Sequence, residues 1–414
     1  MLQSKLFTKI LREVPKDEKS INAQLLIRAG FVDKLMAGVY SFLPLGLRVL
    51  ERIENIIREE MNNIGGQEIL MPTLQPKENW EKTDRWKYQE MFKLKNRSKK
   101  DLSLGWTHEE IVTPLVKKFV KSYKDLPVYV YQIQTKFRDE LRVKSGLLRG
   151  VEFPMKDLYS FHKDEKDLNQ YYEKVKTAYF KIFKRCGLEK ETILTLASGG
   201  AFCEYSHEFQ TVTPFGEDKI YFCPKCKIAV NSEIIERERH QCSNCQNKDL
   251  TVKKAIEVAN IFKLDDRFSK AFDLSFTDKD AKKKLVLMGC YGIGLGRLMG
   301  VTVEVHHDKN GILWPKEVSP FQIHLIQIEN SVKVKSAADK LYQNLKKFGL
   351  EVLYDDRKNK TAGEKFIEAD LIGIPWRAVV SEKTLAKNSV EIKKRNEQNA
   401  KLIKIDKLLP FSYV

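Results

Sequence analysis

The run Val128-Tyr-Val-Tyr-Gln-Ile-Gln-Thr-Lys-Phe137 is rich in β-branched and aromatic residues and predicts a strand. Side chains alternate along a strand, so Gln132, Gln134 and Lys136 share one face, and Arg138 and Glu140 continue its phase. Buried polar groups must be paired, so a central strand of this kind needs a polar ligand or water beside it. A basic turn follows at Val143–Gly150, where Gly146 reverses the chain and Arg149 leads into a second strand running through Phe153 to His162. The hairpin presents two guanidiniums, a carboxylate and an aromatic ring. Arginine grips phosphate oxygens bidentately, a carboxylate accepts from an exocyclic amine, and a ring stacks on a base. That is a cradle for a nucleoside triphosphate without a P-loop; the competing reading is a surface hairpin laced with ion pairs.

Upstream, Leu47, Leu50, Ile53, Ile57 and Met61 recur at helical spacing, and Gly65-Gly66 stops the helix. Glu68-Ile-Leu-Met-Pro72 reads as a strand that its proline confines to an edge or an end. Helix and edge strand suit a dimer surface or, equally, the periphery of a monomer. Thr107 and Glu110 have the spacing of a capping box for a helix over 111–123, which leaves His108 and Glu109 in its first turn, with Glu109 free to point into a pocket. Ser206, His207 and Glu208 are adjacent and therefore diverge, so they form no catalytic triad; a Gly-Gly turn feeding this strand suits the wall of a cleft. Gly292, Gly294 and Gly296 stand at a strand-to-helix junction. Arg297 occupies the place of the last glycine of a dinucleotide fingerprint, so that motif fails, and Arg297 falls near a helix start, over phosphate.

Four of the seven cysteines form two CxxC pairs, Cys223/Cys226 and Cys242/Cys245, with fifteen residues between them. The spacing matches a four-thiolate zinc ribbon, in which a closed tetrahedral ion replaces a hydrophobic core; buried thiols are the alternative. A net charge of +17 suits a polyanionic partner, although lysine richness from an AT-rich genome would give the same total. No secretory signal is visible and no run approaches the ~18 apolar residues of a membrane span. From about residue 320, past Trp314-Pro and Ser319-Pro, strands alternate with helices, which predicts a small α/β domain.

In this order the segments resemble a class II aminoacyl-tRNA synthetase, specifically the bacterial-type prolyl-tRNA synthetases. Gly38–Pro76 resembles motif 1, Phe137-Arg-Asp-Glu140 with Arg149 and Phe153 motif 2, and Gly292-Ile-Gly-Leu-Gly-Arg297 motif 3. Thr107-His-Glu-Glu110, Met155-Lys-Asp157, Tyr159-Ser-Phe-His162, Ser206-His-Glu-Phe209 and Gly289-Cys-Tyr-Gly-Ile-Gly294 are similar to segments particular to the proline enzymes, and Asp355-Asp-Arg357 and Gly363-Glu-Lys-Phe366 to their anticodon-binding domain.

The resemblance implies an α+β catalytic domain on an antiparallel sheet over 1–319, with a zinc-ribbon-like insertion at 222–250, and an anticodon-binding α/β domain over 320–414. It implies that Arg138 and Arg297 are catalytic: Arg138 holds the α-phosphate, Glu140 the adenine amine and Arg149 the γ-phosphate, while Phe153 and Arg297 sandwich the base. Thr107 and Glu109 meet the prolyl ammonium, and Phe161, His207 and Cys290 shape the ring pocket. Asp355, Arg357, Lys365 and Lys393 are the implied tRNA contacts. ATP with Mg2+, structural Zn2+ on Cys223, Cys226, Cys242 and Cys245, tRNA(Pro), proline, a homodimer through the motif 1 helix and strand, and a cytoplasmic location complete the expectation. The hydrolytic editing domain usual between motifs 2 and 3 has no room here. Trp106 stands where proline is usual, and Ala259-Asn260 replaces a usual Gly-His. A catalytically silent tRNA-binding paralogue and a threonine or serine enzyme are the rival readings.

Overall fold

The computed structural model describes residues 1–14, 18–141, 143 and 145–405; Lys144 of the expected basic turn and residues 406–414 of the expected C-terminal domain lie outside the described residues. The chain divides into two compact units, one of Leu35–Tyr40 and Ile53–Val301, the other of Met1–Lys34, Ser41–Arg52 and Thr302–Val414.

Helix α1 (Pro44–Asn63) runs from the second unit into the first. Its apolar stripe is buried at Ile53, Ile57 and Met61 while Glu51, Asn55 and Glu59 stay exposed, as a 3.6-residue period requires. Past its end Gly65 takes φ 88°, a value that favours glycine.

A nine-stranded sheet dominates the first unit. In chain order its strands are β1 (Gln67–Glu68), β2 (Val128–Phe137), β3 (Glu152–His162), β4 (Thr192–Ser198), β5 (Tyr205–Val212), β6 (Asp218–Phe222), β7 (Ala229–Asn231), β8 (Thr251–Asp265) and β9 (Leu287–Gly294). Their spatial order is β5-β4-β7-β6-β8-β9-β3-β2-β1, and β5 pairs also with β8, so five strands close into a ring. The sheet is mixed rather than purely antiparallel, because β7–β4 and β1–β2 run parallel. Helix α2 (Glu109–Lys117) packs on one face of the sheet, with Val112 and Val116 in one apolar cluster with Val130, Tyr159, Phe161 and Met288. The Tyr179, Phe180 and Phe183 rings of helix α3 (Glu165–Arg185) meet Phe209 of β5. Helix α4 (Leu295–Val305) begins directly after β9.

In the other unit β10 (Ile323–Gln327), β11 (Val352–Asp355), β12 (Trp376–Val380), β13 (Ser389–Lys394) and β14 (Lys401–Lys404) order as β11-β10-β12-β13-β14. Pairings β10–β11 and β10–β12 are parallel and the outer two antiparallel. Helices α5 (Val332–Lys347) and α6 (Ala362–Ile372) are the crossovers that parallel strands need. The N-terminal segment joins this unit: the Tyr354 amide donates to the Met1 carbonyl at 2.9 Å, and His324 Nε2 lies 2.9 Å from Gln3 Oε1.

Candidate functional site

Strands β2 and β3 form the expected hairpin, in the register Lys136↔Phe153, Gln134↔Met155 and Gln132↔Asp157. Ser145 and Gly146 take φ 68° and 66° at the reversal. The polar stripe of β2 is satisfied largely from within the protein, a correction to the expectation of an external ligand. Asp157 accepts from Lys136 Nζ at 2.6 Å, from Gln132 Nε2 at 2.9 Å and from the Tyr159 hydroxyl at 2.8 Å, while Gln132 and Gln134 also bond the Met71 backbone. Burial works against the Asp157 charge, yet Lys136 and His108 hold its carboxyl below the ordinary aspartate value.

The stripe's far end opens into a cavity of 380 Å3, within the usual size of a small-molecule site. Arg138 and Glu140 line it beyond the end of β2, Phe153 from β3, Glu208 from β5, Glu257 from β8 and Arg297 from the first turn of α4. Arginine, acid and ring therefore converge from three distant stretches. The Arg138 guanidinium lies 5.4 Å from the centre of the Phe153 ring, and its buried Nε has no hydrogen-bond partner among the described residues. Burial and then the neighbouring Arg297 push its pKa below the ordinary guanidinium value. Two such cations on one cavity are a standing site for an anion. Arg297 is oriented by Leu148 O at 2.8 Å, Glu257 O at 2.8 Å and Glu257 Oε2 at 3.1 Å. Arg149 does not line the cavity; it lies at the rim, 3.7 Å from Glu140 and 3.8 Å from Glu217.

At the other end Thr107, Glu109, Asp157, Tyr159 and Cys290 line the wall. The Cys290 thiol donates to Glu109 Oε1 at 3.1 Å, and the buried Thr107 Oγ1 has no hydrogen-bond partner among the described residues. Thr107 is no cap, contrary to the capping-box expectation. The N-cap of α2 is His108, without a side-chain bond, and Glu110 turns instead to Thr83 and Arg85. Burial outweighs a helix-terminal role here because a buried cation competes for both carboxylates. Arg85 escaped the sequence reading, because nothing local sets it apart from Lys82, Lys87 and the other cations between Trp80 and Trp106.

Two further expectations are corrected, one by strand alternation and one by position along a strand. His207 lies on the opposite face of β5 from Glu208, its Nδ1 2.8 Å from the Tyr172 hydroxyl of α3, so Glu208 rather than His207 lines the cavity. Phe161 follows Phe153, Met155, Asp157 and Tyr159 on one face of β3 but sits beyond the cavity, fully buried among Val112, Val130 and Met288. Burial, and next to it Glu257, push the Glu208 carboxyl up to about 8. The Ser198–Ala201 turn, Trp106, Ala259 and Asn260 complete the wall. A Cβ on Gly199 would stand 2.2 Å from the Cys203 carbonyl oxygen, which reserves that position for glycine.

The four expected thiols gather with their sulfurs within 4.8 Å of one another. Both CxxC turns repeat one geometry: the Lys227 and Gln246 amides each donate at 2.9 Å to the carbonyl of the first cysteine, with φ 61° and 59°. In the other unit Asp355 and Lys365 are buried: Asp355 binds Arg357 at 2.7 Å, and Lys365 donates to the Gln327 carbonyl at 2.6 Å. They brace the β11 end instead of facing RNA, whereas Lys393 is half-buried on β13.

Residues 92–306 match the tRNA synthetase class II core domain (G, H, P, S and T), and residues 321–411 an anticodon binding domain. The chain is 42% identical over 423 residues to a proline--tRNA ligase of Wolbachia pipientis wMel, covering 99% of each. It is 33% identical over 559 aligned positions to one of Dehalococcoides mccartyi, covering 99% of this chain and 98% of that one. Among solved structures, a Giardia lamblia prolyl-tRNA synthetase in complex with prolyl-adenylate is similar with a TM-score of 0.79 at 22% identity, over 93% of this chain and 75% of that one. A Cryptosporidium parvum prolyl-tRNA synthetase complexed with L-proline and AMP has a TM-score of 0.77 at 20% identity, over 94% and 72%.

Proposed function

Because the chain belongs to the proline--tRNA ligases of class II, an ATP-dependent, AMP-forming family, we propose how its own residues divide that work. Proline is activated with ATP to prolyl-adenylate and pyrophosphate, and the prolyl group then passes to the 3′ end of tRNA(Pro). The observation that carries the assignment of roles is the convergence of Arg138, Phe153 and Arg297 on one cavity, with the two guanidiniums close enough for Arg297 to disfavour the Arg138 charge.

Arg138 holds the α-phosphate, and Arg149 at the rim reaches the γ-phosphate. Glu140 receives the adenine amine, and Phe153 and Arg297 flank the base. Thr107 and Glu109 take the prolyl ammonium at the other end, beside Cys290. The proline carboxylate then attacks the α-phosphorus in line, and no side chain acts covalently; positioning and fixed charge suffice. Magnesium would be held by the carboxylates Glu208 and Glu257, since burial and then Glu257 disfavour the Glu208 charge and a divalent ion would offset both. When bound it would supply positive charge that offsets the charge of the phosphates.

The four-thiolate module takes a structural zinc ion, since all four positions are sulfur and none is open to a substrate. The chain has 414 residues where the Dehalococcoides alignment needs 559 positions, so it lacks a domain-sized insertion, as the Wolbachia relative does. Each ring methylene that alanine lacks is worth only ~1–3 kcal/mol in an apolar pocket, so some alanyl-tRNA made here would persist unless cleared in trans. Dimerisation through the motif 1 region is supported by Leu70 and Leu74, 75% and 50% exposed beside a groove of Met71, Pro72, Ile111 and Leu115. A cytoplasmic site of action goes with tRNA charging, and no described helix is long and apolar enough to cross a membrane. The functional division falls at 319/320, with Lys393 and the exposed Lys358 offered to tRNA.

Pyrophosphate exchange compared across proline, threonine, serine and alanine tests the assignment. Robust exchange with proline and weak exchange with alanine is expected. Exchange driven by threonine or serine, or by none, would overturn it.

A further inference from the structure

Arg85 is fully buried, and its Nη1 is shared between Glu109 Oε2 at 3.3 Å, Glu110 Oε1 at 2.9 Å and Glu110 Oε2 at 3.1 Å. Its Nε and Nη2 have no hydrogen-bond partner among the described residues. They lie instead within an aromatic cage, the guanidinium carbon being 5.4, 4.9, 4.6 and 5.5 Å from the rings of Trp80, Trp106, Phe202 and Phe268. Glu109 and Glu110 are equally buried. The cluster therefore holds two carboxylates against one guanidinium, and of the three side chains only Glu109 reaches the cavity wall.

Among the described residues no second cation hydrogen-bonds to either carboxylate, and Arg138, on the same cavity, acts on Glu109 through space only. From the segment bearing Arg85, Thr83 donates its hydroxyl to Glu110 at 2.7 Å. From β9 comes the Cys290 thiol, which burial and Glu109 keep protonated. From β2 and β3 come Lys136 and Asp157, already paired with each other. His108, at the head of α2, is pushed down to about 4 by burial and then by Lys136, so it is neutral. The cage rings carry no charge. A buried excess of negative charge at the wall of a substrate cavity is expensive to hold alone and calls for a cation from the ligand.

We propose that Arg85 and Glu110 are positioning residues which, with Glu109, make a receptor one positive charge short, completed by the cationic nitrogen of the amino-acid substrate. The inference rests on the reading that Glu109 meets the prolyl amine, and deepens it. Without substrate, Glu110 carries the compensation itself as a bound proton: burial first, then Glu109, raise its carboxyl to about 7 against the pull of Arg85. The arriving cation favours the carboxylate, so binding expels that proton. The affinity for proline consequently rises with pH through about 7, then levels off.

The test uses the full-length protein and its Glu110→Gln, Glu109→Gln and Arg85→Lys variants. Proline binding is measured by calorimetry in buffers of different ionisation enthalpy, alongside KM for proline and for ATP across pH. Inhibition by tetrahydrofuran-2-carboxylate, proline's uncharged-ring analogue, reports whether the pocket keeps its shape. Wild type should release a proton near pH 7. Glu110→Gln should abolish that release, flatten the pH dependence and raise KM for proline at least about tenfold, leaving KM for ATP and analogue inhibition unchanged. Arg85→Lys, which keeps the charge, should retain proton release. If Glu109→Gln weakens proline but Glu110→Gln leaves affinity and proton release untouched, the proposal is overturned and the Glu109 reading stands. If neither substitution matters to proline, the Glu109 reading falls as well. Should Glu110→Gln fail to fold, loss of proton release in a folded Arg85→Lys variant overturns the proposal.

Discussion

Replacing Arg138 by methionine separates what this residue does for ATP from what it does for the fold. Its guanidinium is held near Phe153 with an orphaned Nε and a second cation, Arg297, in the same cavity. A phosphate oxygen hydrogen-bonded to it brings the two charges to about 4 Å, worth about 4 kcal/mol at an effective dielectric of ~20. Arg297 would still attract the phosphates and water would fill part of the gap, so the net loss is roughly 2–4 kcal/mol. That corresponds to a fall of roughly 30- to 900-fold in kcat/KM for proline-dependent pyrophosphate exchange. The free protein should respond the opposite way. Burial and Arg297 both disfavour the Arg138 charge, so an apolar side chain of similar length should leave Tm unchanged or raise it. The assays are exchange kinetics and thermal melts with and without ATP. ATP that raises the wild-type Tm by binding the folded state should do so much less in the variant. Near-normal exchange with an undiminished ATP-induced shift in Tm would refute the phosphate role.

Asp157→Asn should destabilise the protein by ~3–5 kcal/mol in chemical denaturation, because it strands buried Lys136 without its charge partner. The same carboxyl is held below its ordinary value, so its contribution is present above the unfolded pKa of about 3.9 and is lost as pH falls below it; melts from pH 6 to 3 should show this. Cys226→Ser should remove a metal ion, counted by elemental analysis at about one per chain in the wild type, and lower Tm. Equal metal content in both proteins would count against the four-thiolate site. His207→Phe should alter Tm through its contact with Tyr172 but leave KM for proline within about twofold, since the ring lies on the α3 side of β5.

Sequence by itself determined the elements whose signals are local. The amphipathic period of α1, the β-branched run of β2, the Gly-Pro punctuation and the two CxxC pairs each report on a few consecutive residues. So did the set of ligand-gripping types, because phosphate, base and amine each demand a particular chemistry wherever the chain places it. What tertiary structure decided was which face each residue took and which buried charges met. His207 and Glu208 are neighbours in the chain, yet only Glu208 faces the cavity, because a strand sends alternate side chains to opposite sides and the sequence does not say which side is covered. Asp157 satisfied the polar stripe of β2 through pairing across the hairpin, a register that no single strand contains. Arg85 met Glu109 and Glu110 across an aromatic cage assembled from four separate segments. Desolvation sets the strength of such a cluster, and desolvation exists only once the chain has closed around it.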